Sequence, residues 1–281
     1  MSPRLLRPRQ TIHPEAADWA NRVRTNGGSV SGTTLSAVDR FVKAIHAAGI
    51  RDRFYRVNLF CGNSDGSLAA VRTPLFRGQS LGGTQYGSAT DTNFNFGPGD
   101  YAEAAGLLSN GTSKYLSTTV SPDSLGVPQT LHFSVYKAAG AWAATQEVIG
   151  TRDAEDFYQL QLRIDVATSA NGFLGPTTIS GVLNAPMTTG AALVTLSRAS
   201  STSLVMYSNG TSVGVGSLAS ATLGACANNW FVFARNVSGS AGFGTVMPLF
   251  GYSIGLGLTG PEVTEFANAS RAFHLALGRS A

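Results

Sequence analysis

The densest group of ionisable residues in the chain is Asp153, Glu155 and Asp156. Glycoside hydrolysis needs two carboxylates about 5–10 Å apart, one as acid and the other as nucleophile or base. Carboxylate clusters can also hold Ca²⁺, which takes six to eight oxygens. Here the acids crowd one stretch, Thr151-Arg152-Asp153-Ala154-Glu155-Asp156, ahead of an apolar run, which reads as a solvated turn before a strand. The histidines His13, His46, His132 and His274 are dispersed and show no metal-ligand spacing. There is no Gly-x-Ser-x-Gly elbow, and the Gly-rich stretch 78–87 lacks the Lys-Ser/Thr of a phosphate loop. Between Val166 and Pro261 there is no Asp or Glu. The residues therefore offer no catalytic set, no metal ligands and no cofactor motif, and a non-enzymatic role is expected.

Aromatic residues set among small polar ones are the other candidate. Sugar-binding faces use exposed rings flanked by Asn, Asp and Gly groups. The stretch 84–100 has that composition, and Tyr86, Phe94, Phe96, Tyr101 and Trp142 are the candidate glycan contacts. The same rings could instead plug the end of a sandwich or a subunit contact. Trp19, Trp230, Phe231 and Phe233 are assigned to the core.

A chain of 281 residues with 43% hydrophobic and only 13% charged residues can bury a large core and is not of disordered composition. Its 33 glycines and its wealth of Ser, Thr and Val point to a turn-rich β-protein. No apolar run reaches the ~18–20 residues of a membrane span, so membrane insertion is not expected. Residues 1–56 hold ten Lys or Arg against four acids, while 57–281 hold ten against twelve. The basic excess thus belongs to the N-terminal segment. It reads as a solvated or docking surface, with nucleic acid the less favoured partner. The start has basic residues but no apolar stretch behind them, unlike a secretory signal. Cys61 and Cys226 read as reduced core residues.

The elements that must position these residues follow from periodicity. Residues 1–12 read as an extended basic arm, with Arg4, Leu5, Leu6, Arg7, Arg9 and Ile12 as docking residues. Pro14, with Glu15 and Asp18 in the first turn, opens a helix that Asn26-Gly27-Gly28 stops. A second helix runs from about Ser31 to Gly49, with Leu35, Val38, Phe41, Val42 and Ile45 at helical spacing. Residues 13–53 are thus a helical hairpin, read as an anchoring segment. From 54 the period changes to that of strands, expected at 54–60, 130–137, 157–165, 177–183, 192–198, 203–208, 211–216, 230–236 and 247–256. Asn110-Gly111, Asn171-Gly172 and Asn209-Gly210 are tight-turn signals. Thr259-Gly260-Pro261-Glu262 is a capping box that opens a last helix over 260–277.

The hairpin Leu204-Val205-Met206-Tyr207-Ser208-Asn209-Gly210-Thr211-Ser212-Val213 resembles one found in laminin-G and concanavalin A-like jelly rolls. The run from Phe250 to Glu262 resembles that family's closing strand and last helix. This resemblance covers 54–281. It implies a mainly β fold: an antiparallel two-sheet jelly-roll sandwich, here with the N-terminal helical hairpin and a C-terminal helix. Hydrolases of that family take their carboxylates from a Glu-x-Asp-x-x-Glu-type strand, a pattern absent around Asp153. The chain also resembles structural proteins of tailed bacteriophages and prophages. That likeness lies in Asp18-Trp19-Ala20-Asn21-Arg22-Val23, Gly27-Gly28-Ser29-Val30-Ser31, Phe54-Tyr55-Arg56-Val57-Asn58-Leu59-Phe60-Cys61-Gly62, Gly83-Thr84-Gln85-Tyr86-Gly87, the segment 107–116 and the tail 272–279.

The function this implies is that of a virion component, assembled in the host cytoplasm: an exterior tail or fibre-type appendage or a capsid decoration. Its partners would be other virion proteins, further copies of itself in a homo-oligomer, and host surface glycans. The alternatives are a carbohydrate-binding adhesin and a glycan hydrolase. Removing residues 1–12 should leave a folded body with its Tm little changed and should lower incorporation into particles. A truncated chain that fails to fold would instead make the arm part of the core.

Overall fold

The computed structural model describes residues 11–63, 67–140, 146–153, 156–163, 169–176, 183–217, 222–242 and 244–280. The arm residues Arg4, Leu5, Leu6, Arg7 and Arg9 lie outside them, as do Trp142, Glu155 and most of the strand expected at 177–183. Side chains 156, 157, 159–163, 176 and 217 are also outside the description.

Helix α1 spans Pro14–Thr25, capped by the His13 side chain, which accepts from the Glu15 N–H, and Gly27 ends it at φ +80°. Helix α2, Gly32–Ala47, is capped by Ser31, whose Oγ accepts from the Thr34 N–H at 3.0 Å. Helix α3, Leu68–Val71, is a single turn that the sequence pattern did not suggest. Helix α4, Gly260–Ala276, opens with the Thr259 N–H donating to Glu262 Oε2 at 2.7 Å, and Arg53 pairs with the same carboxylate at 2.9 Å. The three longer helices thus start and stop where their Pro, Ser/Thr and Gly signals place them. Among the described residues no helix is long and apolar enough to cross a membrane.

The rest is mainly β. One sheet runs in the order Thr211–Ser217, Ser203–Ser208, Ala192–Ser200, Leu131–Lys137, Leu249–Gly255, Gly106–Leu107, Tyr101–Ala102, with Phe54–Asn58 also paired to Leu249–Gly255. The other runs Leu183–Pro186, Ser169–Pro176, Asp156–Arg163, Gln146–Arg152, Phe231–Val232, Tyr115–Ser117, Thr92–Phe94. Among the described residues pairing is antiparallel except for Arg235–Val237, which lies parallel to Gln146–Arg152.

Side chains alternate across the pleat, and that alternation sets the layers. Phe133 and Val135, with Val194, Leu196 and Met206, meet Val148, Tyr158, Leu174 and Val232 of the second sheet in one core. The residues between them, such as Tyr136 and Leu193, face the other way and pack with Trp19, Phe41, Phe266 and Phe273 of α1, α2 and α4. Three layers result, with helices on the first sheet and the first sheet on the second. The hairpin 13–53 therefore shares its core with the β-body. Trp19 Nε1 donates to Thr73 O at 3.0 Å, and Arg22 donates to Pro74 O and Leu75 O. Its solvent side carries Arg24 and Arg40.

Two sequence expectations are corrected, and one strand is added. Asn171-Gly172 is not a turn: it lies within Ser169–Pro176. The glycine is there for packing, since a Cβ at 172 would lie 2.4 Å from Leu196 Cδ1 of the facing sheet. The strand expected at 230–236 is two short strands, with Phe233 at φ +72° between them, where the chain passes from antiparallel to parallel pairing. Gln146–Arg152, a central strand of the second sheet, was not expected. By contrast Asn209-Gly210, at φ +49° and +83°, forms the expected two-residue hairpin turn.

Two buried polar groups stand out, one between the sheets and one within the first sheet. Arg56 and Asp91 are fully buried and 2.7 Å apart. Asp91 also accepts from Tyr252 Oη at 2.8 Å and Asn58 Nδ2 at 2.8 Å, and Arg56 donates to Tyr86 O and Ser88 O. Burial works against the Arg56 charge, but Asp91 and Tyr252 outweigh it and the guanidinium is held charged. On the helical face of the first sheet, His132 Nε2 lies 3.1 Å from Ser253 Oγ, Ser253 donates to Ser134 at 3.1 Å, and His132 Nδ1 meets Leu256 O.

Arg56→Met should destabilise the fold by about 3–5 kcal/mol in urea unfolding, because it leaves Asp91 buried and unpaired. The double variant Arg56→Met/Asp91→Leu should recover part of this. It cannot recover all, since the carbonyls of Tyr86 and Ser88 lose their donor. The second expectation concerns pH. Burial lowers the His132 pKa from 6.5 to about 4. Above pH 6.5 both folded and unfolded states are neutral there and the stability is complete. As pH falls, the unfolded chain takes up a proton that the folded chain refuses, and about 3 kcal/mol is lost down to pH 4. His274, also lowered by burial, adds in the same direction. Urea midpoints across this range should fall steeply for wild type and less steeply for His132→Gln.

Candidate functional site

The edge strand Thr92–Phe94 pairs with Tyr115–Ser117, Phe94 opposite Tyr115 and Asn93 opposite Leu116. Tyr115–Ser117 pairs in turn with Phe231–Val232, Leu116 opposite Val232. Leu116 and Val232 point into the core between the sheets. Alternation then puts Phe94, Tyr115 and Phe231 on the opposite, outer face of the second sheet. Phe94 and Tyr115 stack, with centroids 4.3 Å apart and planes 11° from parallel. Tyr115 lies 4.6 Å from Phe231. Phe94 and Tyr115 are half-buried and Phe231 is buried. The three rings make an aromatic shelf at the sheet edge.

Polar groups flank it. Thr92 and Asn95 are exposed, and Asn95 Nδ2 donates to Ser113 O at 2.9 Å. Lys114, next to Tyr115, donates to Asp100 Oδ1 at 2.6 Å. Burial works to raise the Asp100 pKa, but the bonds from Lys114 and the Gly97 N–H outweigh it and hold the carboxyl below its usual range. Asp100 is thus an ionised acceptor. The arrangement offers an apolar surface for the C–H side of a ring and charged or amide groups for its hydroxyls.

The other rings expected to contact glycans are placed elsewhere. Phe96 and Tyr101 are buried core residues. Phe96 meets Phe233 edge-on at 5.3 Å, and Tyr101 donates to Glu103 Oε2 at 2.6 Å. Both face inward because the sandwich end needs filling. Tyr86 is half-buried, edge-on to Tyr55 at 5.0 Å. Trp142 lies outside the described residues. Of the docking residues only Ile12 is described, and it is 40% exposed. Tyr115 was missed; Phe231, assigned to the core, is indeed buried, on the face of the second sheet away from Val232. The signal was the alternation Tyr115-Leu116-Ser117, one inward residue between two outward ones.

The ionisable groups give no catalytic centre among the described residues. Asp153 directly follows Gln146–Arg152, while Glu155 and the Asp156 side chain are outside the description. The Ser253–His132 pair is sealed under the helices. The cavity next to Ser253, lined also by Tyr136, Phe266 and His274, has a volume of only about 10 Å³. That is about the space of one water, not of a substrate. The histidines are not all dispersed in space: His13 and His46 stand with Glu15 in one cluster. Cys61 and Cys226 are buried free thiols.

No family model and no curated protein matches the sequence. Solved structures give partial likenesses. The binding domain of botulinum neurotoxin DC in complex with SialylT is similar with a TM-score of 0.43 and 8% identity, over 56% of this chain and 39% of that one. The CBM40 of Ruminococcus gnavus IT-sialidase bound to α2,3 sialyllactose is similar with a TM-score of 0.43 and 10% identity, over 57% and 94%. A Trypanosoma rangeli sialidase gives 0.47 and 10%, over 83% and 39%. The chain thus spans 39% of the length of the toxin domain and of the trypanosome enzyme. Nothing in these likenesses points to a phage particle, and the reading of function rests on this chain's own residues.

Proposed function

We propose that the chain is a non-enzymatic carbohydrate-binding protein of jelly-roll type, whose sugar-binding face is the Phe94–Tyr115–Phe231 shelf. The observation that carries this is the stack of half-buried rings on a sheet face, flanked by Asn95, Thr92 and the Lys114–Asp100 pair. Two antiparallel sheets packed over one core support the jelly-roll reading. A sugar ring lays its C–H side on Phe94, which has Tyr115 against one face and stands on the edge strand. Its hydroxyls meet Asn95 and Asp100. A single such contact is weak, so binding gains from repeated copies. An ionised Asp100 accepts hydrogen bonds, which suits contact with sugar hydroxyls.

Wild-type protein on a glycan array should bind a subset of glycans. Phe94→Ala and Tyr115→Ala should each weaken that binding about tenfold, since an aromatic contact is worth about 1 kcal/mol or more. Circular dichroism and Tm should show both variants folded. Absence of any glycan binding by wild type, or full binding by both variants, would overturn the proposal. Release of reducing ends from a bound polysaccharide would make the protein a hydrolase.

A further inference from the structure

We propose that His13, Glu15 and His46 form a binding site for a divalent transition-metal ion of the zinc class. One ligand atom from each residue lies within 4.8 Å of the others. His46 Nε2 is 2.7 Å from Glu15 Oε2, and the two imidazole centroids are 4.4 Å apart. Two imidazoles and one carboxylate with a position left open is a donor set that Zn²⁺ accepts in tetrahedral geometry. Imidazole nitrogen favours zinc-class ions over Mg²⁺ and Ca²⁺, which take oxygen ligands.

The surroundings hold these donors in place. Glu15 is buried, and its Oε1 lies 2.7 Å from Arg51 Nη2. Arg51 is fixed by Gly78 O at 2.9 Å and by the Phe76 ring, 3.7 Å from its guanidinium carbon. Arg51 Nε donates to both carboxylate oxygens, at 2.9 and 3.0 Å, and so fixes the group, while Oε2 also meets His46, as ligating carboxylates are commonly held by a further partner. The His13 N–H donates to Asp39 Oδ1 at 2.7 Å, and Asp39 also pairs with Lys43 at 2.7 Å. The His13 Nδ1 contact with the Glu15 N–H is long, 3.3 Å, and leaves its Nε2 for an ion. The His46 side chain is 41% exposed, so an ion enters from that side. Arg51 and Lys43 are each matched by a carboxylate, so the site draws the ion through its nitrogen ligands and not through net charge. Bound there, the ion would join the start of α1 to the end of α2.

The test uses the full chain. Zinc chloride titrated against a chromophoric chelator should show one equivalent taken up per chain, and cobalt chloride should give the visible bands of a tetrahedral ion. Zinc should also raise Tm by several degrees, and magnesium should not. His46→Ala removes an exposed ring. His13→Asn keeps a good N-cap while removing the imidazole. Both should fold with the metal-free Tm of wild type and lose at least tenfold in zinc affinity. No stoichiometric uptake by wild type, or wild-type affinity in both variants, would overturn the proposal. If either variant proves unfolded, the wild-type cobalt spectrum decides: an octahedral spectrum or none would overturn it.

Discussion

The buried pair of Arg56 and Asp91 ties the two sheets to each other. Arg56 belongs to the first sheet, on the strand Phe54–Asn58, and Tyr252, which also holds Asp91, lies on the neighbouring strand Leu249–Gly255. Asp91 directly precedes Thr92–Phe94, the edge strand of the second sheet. The Asp91 N–H donates to Arg72 O, which closes the loop 72–91 on itself. The placement of the loop, of the edge strand and so of the Phe94 ring follows from this one pair.

A charged pair at such a place needs a reason, because apolar residues of equal volume are often as stable. The reason lies in the loop. Residues 78–91 are mostly Gly, Ser and Thr, with little apolar area to bury. Their backbone carbonyls still need donors once they lie against the sheets. One guanidinium supplies Tyr86 O, Ser88 O and Asp91 together, in a fixed fork that fixes direction as well as distance. Hydrophobic packing would press this segment down without deciding where along it the edge strand begins.

What the sequence made legible follows the range of each signal. The capping residues and Gly stops of α1, α2 and α4 act within four residues, and they placed those helices closely. Asn209-Gly210 acts within two residues and gave the hairpin. The second sheet was less legible. Gln146–Arg152 carries Gln, Glu, Thr and Arg, so no apolar alternation announces it, and Asn171-Gly172 carries a turn signal whose glycine answers instead to Leu196 across the core. Thr92–Phe94 is too short to show a period, so nothing local separated outward Phe94 from inward Phe96 and Tyr101. His13 and His46 are 33 positions apart and meet only because two helices pack. Sequence spacing has no access to such a pair.

The layering also explains why the two candidate sites lie where they do. The apolar sides of α1, α2 and α4 all converge on the first sheet, and the helical core holds no residue of the second. The outer face of the second sheet is therefore left without helical cover among the described residues, and a shelf of rings can stay half-open there. At the helical layer the opposite holds. Each helix keeps its apolar side for the sheet and turns its polar ends outward, so the start of α1 and the end of α2 bring two imidazoles together over the buried Glu15 carboxylate. One face of the sandwich thus keeps a shelf of rings half-open, and the other gathers two imidazoles beside a carboxylate. Each follows from which side of the first sheet the helices cover.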